Sequence, residues 1–130
     1  MGNTGDEGIP AVDLEILRSQ LRKAGVEVAL GVILETFLAS APERVTALGE
    51  CLASGSAEEV SSAAHALKSS AGAIGAGPLA ALLERIEEAG TADDLTDRRV
   101  LADQVRSTAE SVYAELRAFL AAGRQVAAED

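Results

Sequence analysis

From Leu30 onwards the apolar residues recur in steps of four or three, at Leu34, Phe37, Ala41, Val45, Leu48 and Leu52, and the register holds across a proline at position 42. Only a repeat near 3.6 residues keeps such a set on one side of a chain, so the segment must be helical, with an apolar stripe that other elements cover. Pro42 lacks an amide donor and its ring crowds the preceding turn, which predicts a kink, or a break near Leu38 to Ala41. Ser40 and Glu43 would cap a second segment after a break. The unbroken stripe favours the kink.

The rest of the chain repeats the pattern. Leu14, Leu17 and Leu21 mark a short first helix, with Asp13 as N-cap and Gly25 as stop. Gly55 ends the long helix, and Ser56 to Glu59 spell a capping box in which each side chain satisfies the other residue's amide. The helix that starts there carries Val60, Ala64, Leu67, Ala71 and Ile74 on one seam, and Gly75-Ala76-Gly77-Pro78 terminates it. Pro78 suits the first turn of the next helix, which buries Leu79, Leu82, Leu83 and Ile86 and stops at Gly90. After a polar connection with capping candidates Thr91 and Thr96, a last helix carries Leu101, Val105, Val112, Leu116 and Phe119 and ends before Gly123. No period-two run of β-branched residues competes. The predicted fold is all-α, an up-and-down four-helix bundle with a short additional N-terminal helix. Its expected organisation is a disordered lead-in over 1–11, one domain over 12–122 and a flexible tail over 123–130.

Composition narrows the function. With 130 residues and 48% hydrophobic content the chain can build one core, and 2% aromatic content makes that core aliphatic. The formal net charge of −10 repels phosphate backbones and anionic lipid, which argues against nucleic acid and membrane surfaces as partners. Cys51 is alone, so no intramolecular disulfide forms, and its place near the stripe suggests a small buried hydrophobe. One histidine and one cysteine fall short of a zinc site, and no calcium-loop spacing is present. No metal is expected. The opening MGNTGDEG lacks the regions of a secretory signal, and no stretch is apolar for long enough to span a bilayer. Met1-Gly2 begins like a myristoylation site, but Asp6 stands where that motif wants Ser or Thr. A cytoplasmic monomer is the expectation.

The one histidine, His65, lies on the third helix. Positions three, four and seven away share its face, so its neighbours are Ser61, Ser62, Lys68, Ser69 and Gly72. All are polar or small, and the seam through Ala64 and Leu67 lies about a quarter turn round. The imidazole therefore faces solvent, in a collar that leaves room for another protein. A lone surface histidine is ordinarily just that, and spacing alone does not separate it from a functional one. A neutral imidazole, with an ordinary pKa of about 6.5, is nevertheless a competent nucleophile. Lys68, one turn along, is placed to offset negative charge brought to it, or else is a solvated surface cation.

His65-Ala-Leu67-Lys68-Ser69-Ser70, then Gly75-Ala76, Leu79 and Ile86-Glu87, resembles the motif of histidine-containing phosphotransfer (HPt) domains. The kinked stripe ending in Leu52, the Gly55 turn and the Glu58-Glu59 helix start are similar too, so the resemblance covers roughly residues 26 to 120. It implies that His65 is the phosphoacceptor, that Lys68 stabilises the phosphoryl charge, and that Glu87 orients the ring through Nδ1, leaving Nε2 as nucleophile. Glu87 is otherwise an ordinary solvated glutamate beside Glu88. Ser69 stands where the family usually has glycine; it narrows the space beside the phosphoryl group and brings a hydroxyl to it.

Nothing in the chain resembles an ATP-binding loop, so a phosphoryl group would arrive from another protein. The resemblance implies transfer from the aspartyl phosphate of a response-regulator receiver domain or hybrid sensor histidine kinase to an aspartate on another receiver. The receiver would supply Mg²⁺, and this chain would need no cofactor. Ser61, Ser62, Ser69 and Gly72 would form the partner-binding face. A helical adaptor that binds a signalling partner without phosphotransfer, and a phosphate sink, are the competing expectations.

Overall fold

The computed structural model describes residues 11–16 and 29–129, with side chains described as far as residue 123. Four helices follow in order: α1 (Leu30–Ser54), α2 (Ala57–Ala73), α3 (Gly77–Thr91) and α4 (Arg98–Glu129). They close into a ring in which α1 packs on α2 and α4, and α3 packs on α2 and α4. The all-α bundle predicted from the apolar seams is the one observed. Leu34, Leu48, Leu67, Leu79, Leu83, Ile86 and Leu116 are fully buried, each stabilising the fold by about 1.5–3 kcal/mol through removal from water.

The seams of α2 and α3 are buried at every predicted position. Along α1, Val45 is only half-buried, as is Cys51, which packs against the core from its margin rather than within it. On α4, Leu101 and Phe119 sit at the margin, while Ala109 and Tyr113 complete the buried stripe. The Tyr113 ring meets Phe37 of α1 at 6.4 Å between centroids.

α1 passes Pro42 without a break. Phe37 and Ala41 are buried before the proline, and Leu48 and Leu52 after it, so a break would forfeit burial on one side for the sake of one missing backbone bond. Ser40 accordingly caps nothing: its hydroxyl donates to Thr36 O at 3.0 Å, back along the same helix. At the far end the Gly55 amide donates to Cys51 O at 2.7 Å. Arg98 of α4 donates to Gly55 O at 2.8 Å, a cation at the negative end of a helix.

The capping box forms as predicted, Glu59 N to Ser56 Oγ at 3.1 Å and Ser56 N to Glu59 Oε1 at 2.8 Å. Gly75 ends α2 with a φ of 76°. Ala76 N reaches Ala71 O at 2.9 Å and Gly75 N reaches Gly72 O at 3.1 Å, the pair of bonds that a left-handed residue after a helix permits. Onto this turn docks the start of the domain. Asp13 N donates to Gly75 O at 2.9 Å, and Ala11 N and Val12 N donate to the Glu115 carboxylate at 2.9 and 3.2 Å. Ala11, placed in the lead-in by sequence, is thus packed into the fold. Asp13 caps the turn at residues 14–16 by accepting from Ile16 N at 3.1 Å. Leu17, Leu21 and Gly25, and the lead-in up to residue 10, lie outside the described residues.

Three predicted boundaries need correction. Gly90 does not stop α3, which continues to Thr91 and ends through Asp93 at a φ of 55°, with Asp93 N on Gly90 O and Asp94 N on Ala89 O. Gly90 is buried where α2 crosses: a Cβ there would stand 2.8 Å from Ala57 O and 3.1 Å from Ser61 Cβ. Thr91 is therefore the last residue of α3 rather than a cap for α4, which begins at Arg98, directly after Asp97. Gly123 does not stop α4, which runs on to Glu129; one glycine inside a helix costs only about 1 kcal/mol against alanine.

These surroundings separate two helical glycines. Gly90→Ala should destabilise the domain by about 1–3 kcal/mol, since the obstructing atom is backbone and cannot step aside. Gly72→Ala, with open space around its Cβ position, should instead stabilise it by about 0.5–1 kcal/mol. Urea titrations of the two variants check this; equal midpoints would contradict the close crossing at Gly90.

Candidate functional site

Burial of Val60, Ala64, Leu67 and Ala71 fixes how α2 is rotated, and that rotation turns His65 outward, its side chain 62% exposed. The absence of a Cβ at Gly90 brings α3 close against the first half of α2. Ser61, one turn before His65, then donates to Glu87 O at 3.2 Å and pairs with Thr91 Oγ1 at 2.9 Å. With the two helices antiparallel and locked at this point, Glu87 falls opposite His65.

The Glu87 carboxylate has two partners on α2. Oε2 lies 2.9 Å from His65 Nδ1, and Oε1 lies 2.7 Å from Lys68 Nζ. The Lys68 ammonium beside it, and then the hydrogen bond from His65, hold the Glu87 carboxyl below the usual carboxylate range despite partial desolvation. Reciprocally, the Glu87 contact raises the Lys68 pKa above its ordinary value, with Glu84 and Glu88 adding to the effect. Stability from the depressed Glu87 is present above pH 4.5 and is lost as pH falls through its lowered value. Stability from the raised Lys68 is present below pH 10.5 and is lost as pH rises through its raised value. The pair is thus charged throughout the neutral range.

An ionised carboxylate can only accept, so the bond to Glu87 requires a proton on Nδ1. In the neutral ring Nε2 is then the unprotonated nitrogen, with a lone pair available on an exposed face. Chemically this arrangement can present an imidazole lone pair as a nucleophile, with the tautomer set by the carboxylate and a cation one turn away.

The remaining predicted residues divide. Ser62, Ser69 and Gly72 are exposed around His65, whereas Ser61 is half-buried and committed to the α2–α3 contact. Ser69 Oγ donates to His65 O at 3.2 Å, so its hydroxyl hydrogen is directed to its own helix instead of outward. Arg44, which the sequence did not single out, reaches from α1 to donate from Nη1 to Ser70 Oγ. Its side follows from how α1 is rotated about the core, which spacing across Pro42 left open. Among the described residues no three His, Cys, Asp or Glu side chains gather as a metal site, and no helix is long and apolar enough to cross a membrane.

The crystal structure of histidine-containing phosphotransfer protein B (HptB) from Pseudomonas aeruginosa PAO1 is similar, with a TM-score of 0.73 and 26% sequence identity, over 90% of this chain and 96% of that one. Comparison with curated proteins gave no match. The family model of the Hpt domain matches residues 32–125, which include all of α2 and α3 and with them His65, Lys68 and the Glu87 that contacts both. The chain belongs to the Hpt domain family.

Proposed function

We propose that this chain carries a phosphoryl group between receiver domains of a phosphorelay, with His65 as the acceptor. The observation that carries the assignment is the double engagement of Glu87, which holds His65 Nδ1 and Lys68 Nζ on one exposed helix face. In the proposed reaction the Nε2 lone pair attacks the phosphorus of an aspartyl phosphate in line. The P–O bond to the aspartate breaks, and its carboxylate leaves with the bonding pair. No proton has to move. The ring keeps Nδ1–H, becomes cationic as the N–P bond forms, and Glu87 balances that charge across the hydrogen bond, as a carboxylate does beside a catalytic imidazolium. In the onward step an aspartate of a second receiver attacks phosphorus, the N–P bond breaks, and the ring returns to the neutral Nδ1–H form.

Lys68 rests on Glu87 and has one turn of helix to span toward His65, so its flexible stem allows the ammonium to share itself between the carboxylate and the phosphoryl oxygens. Mg²⁺ belongs to the receiver in this scheme. Ser62, Ser69 and Gly72 form the floor on which that receiver sits, and Ser61 supports it from within. The chain would work in the cytoplasm as a monomer.

Incubation with a phosphorylated receiver tests the assignment: wild-type protein should take up acid-labile label and His65→Gln none. Label persisting in that variant would remove His65 from the mechanism. Lys68→Ala should slow transfer roughly ten- to a hundredfold, the worth of one charge-assisted bond, with the urea midpoint lowered only slightly because Lys68 is outside the apolar seam and its half-buried ion pair is screened by solvent. Glu87→Ala should release the ring tautomer. Long-range ¹H–¹⁵N correlations should then show Nε2 protonated in a substantial fraction of molecules, with Glu87→Gln restoring Nδ1–H through its amide oxygen. A spectrum unchanged in Glu87→Ala would deny Glu87 its orienting role.

A further inference from the structure

We infer that Arg44 fixes the orientation of the docked receiver by pairing with a carboxylate on the receiver's surface, an inference that rests on the phosphorelay function proposed above. Lys68 lies roughly 60° round α2 from His65 in one sense and Ser70 roughly 140° in the other, at 3.6 residues per turn. Arg44 comes from α1 to Ser70, so the two cations flank His65 on opposite sides. They are not in the same electrical state. Lys68 is matched by Glu87, whereas the Ser70 hydroxyl is the one polar contact that Arg44 makes among the described residues, with no described carboxylate in ion-pair range.

The serine anchors the guanidinium over the edge of the α2 face without neutralising it, and leaves most of its five N–H donors unused. Such a charge stands out on a chain with 21 acidic and 11 basic residues. Across His65 the opposite rim is acidic, with Glu84 and Glu88 on α3 close enough to act on Lys68. The two edges therefore differ in sign at these residues, Glu84 and Glu88 on α3 against Arg44 on α1.

A partner whose aspartate reaches Nε2 has a footprint wide enough to reach Arg44 at the α1 edge of this face. Ser70 is roughly 7.5 Å along the helix from His65, and a standard interface of about 800 Å² per partner centred on His65 extends roughly 16 Å outward. A carboxylate set opposite Arg44 is attracted there, and the same carboxylate turned to α3 meets Glu84 and Glu88. One contact then selects a single rotation of the receiver about the His65 axis, which is how interfacial charge acts on specificity and encounter rate.

Phosphoramidate, a small donor that needs no docking, separates this role from the chemistry. Wild type, Arg44→Ala and Arg44→Glu would be loaded with it, and single-turnover transfer then followed against increasing concentrations of a purified receiver domain that accepts from wild type. Loading rates should be equal. The half-saturating receiver concentration should rise about three- to fivefold for Arg44→Ala, the range of an exposed ion pair, and about tenfold for Arg44→Glu. The maximal rate should be unchanged, and the difference should shrink as salt is added. Arg44→Glu with wild-type half-saturation overturns the inference about Arg44 alone, as does a loss confined to the maximal rate. Wild type that loads but passes phosphate to no receiver, or fails to load, overturns the phosphorelay function and this inference with it.

Discussion

The site depends on how closely α2 and α3 approach one another. Glu87 meets His65 and Lys68 because Gly90, three residues further on, carries no Cβ where Ala57 O and Ser61 come against it. A side chain at 90 would push the two helices apart at the end nearest the site. A carboxylate moved out of the 2.9 Å contact with Nδ1 would no longer determine the tautomer, because hydrogen bonds weaken quickly with distance and angle. The orientation of an exposed imidazole on the surface is thus set by a packing requirement inside the helix crossing.

Much of the fold was legible because it rests on local rules. The seams of α2 and α3, the capping box at Ser56 and Glu59, and the turn at Gly75 follow from periodicity, side-chain reach and the left-handed conformation that glycine tolerates. The outward turn of His65 follows from the same seam. What was not legible depends on which residue meets which across helices. Gly90 reads as a helix stop when only neighbours in sequence are considered, and as a contact residue once α2 is laid against it. Ser61 reads as part of an open collar, yet the lean of α3 takes it into the interface. Arg44 was invisible for the same reason, since its direction depends on how α1 turns beyond Pro42. The position of Glu87 beside His65 was reached through resemblance to a family; 22 residues separate the pair, and no helical period connects them.

Placing His65 on an exposed face separates its surroundings from the core that stabilises α2. The core of α2 is Val60, Ala64, Leu67 and Ala71, none of which touches solvent, while His65 contributes one bond to Glu87. The surroundings of His65 can therefore be small, as at Ser62, Ser69 and Gly72, without loss of core. The cost falls on helix propensity, where serine and glycine are poorer than alanine, and the capping box and the Gly75 turn supply compensating bonds at both ends of α2.

Net charge then gives the few cations on this face disproportionate weight. A chain at −10 repels an acidic partner at distances up to about a Debye length, roughly 8 Å at physiological salt, and in the proposed transfer it would have to let an aspartyl phosphate approach a surface edged by Glu84, Glu87 and Glu88. Lys68 cancels part of that field beside His65, but its charge is already shared with Glu87. Neutralising Glu87 would free the lysine and abandon the tautomer, so the same carboxylate that holds His65 Nδ1 also limits the attraction Lys68 can exert. In the docking inferred above, a second cation held by a neutral hydroxyl would resolve this conflict: Arg44 on Ser70 brings positive charge to the edge of the α2 face without competing for Glu87.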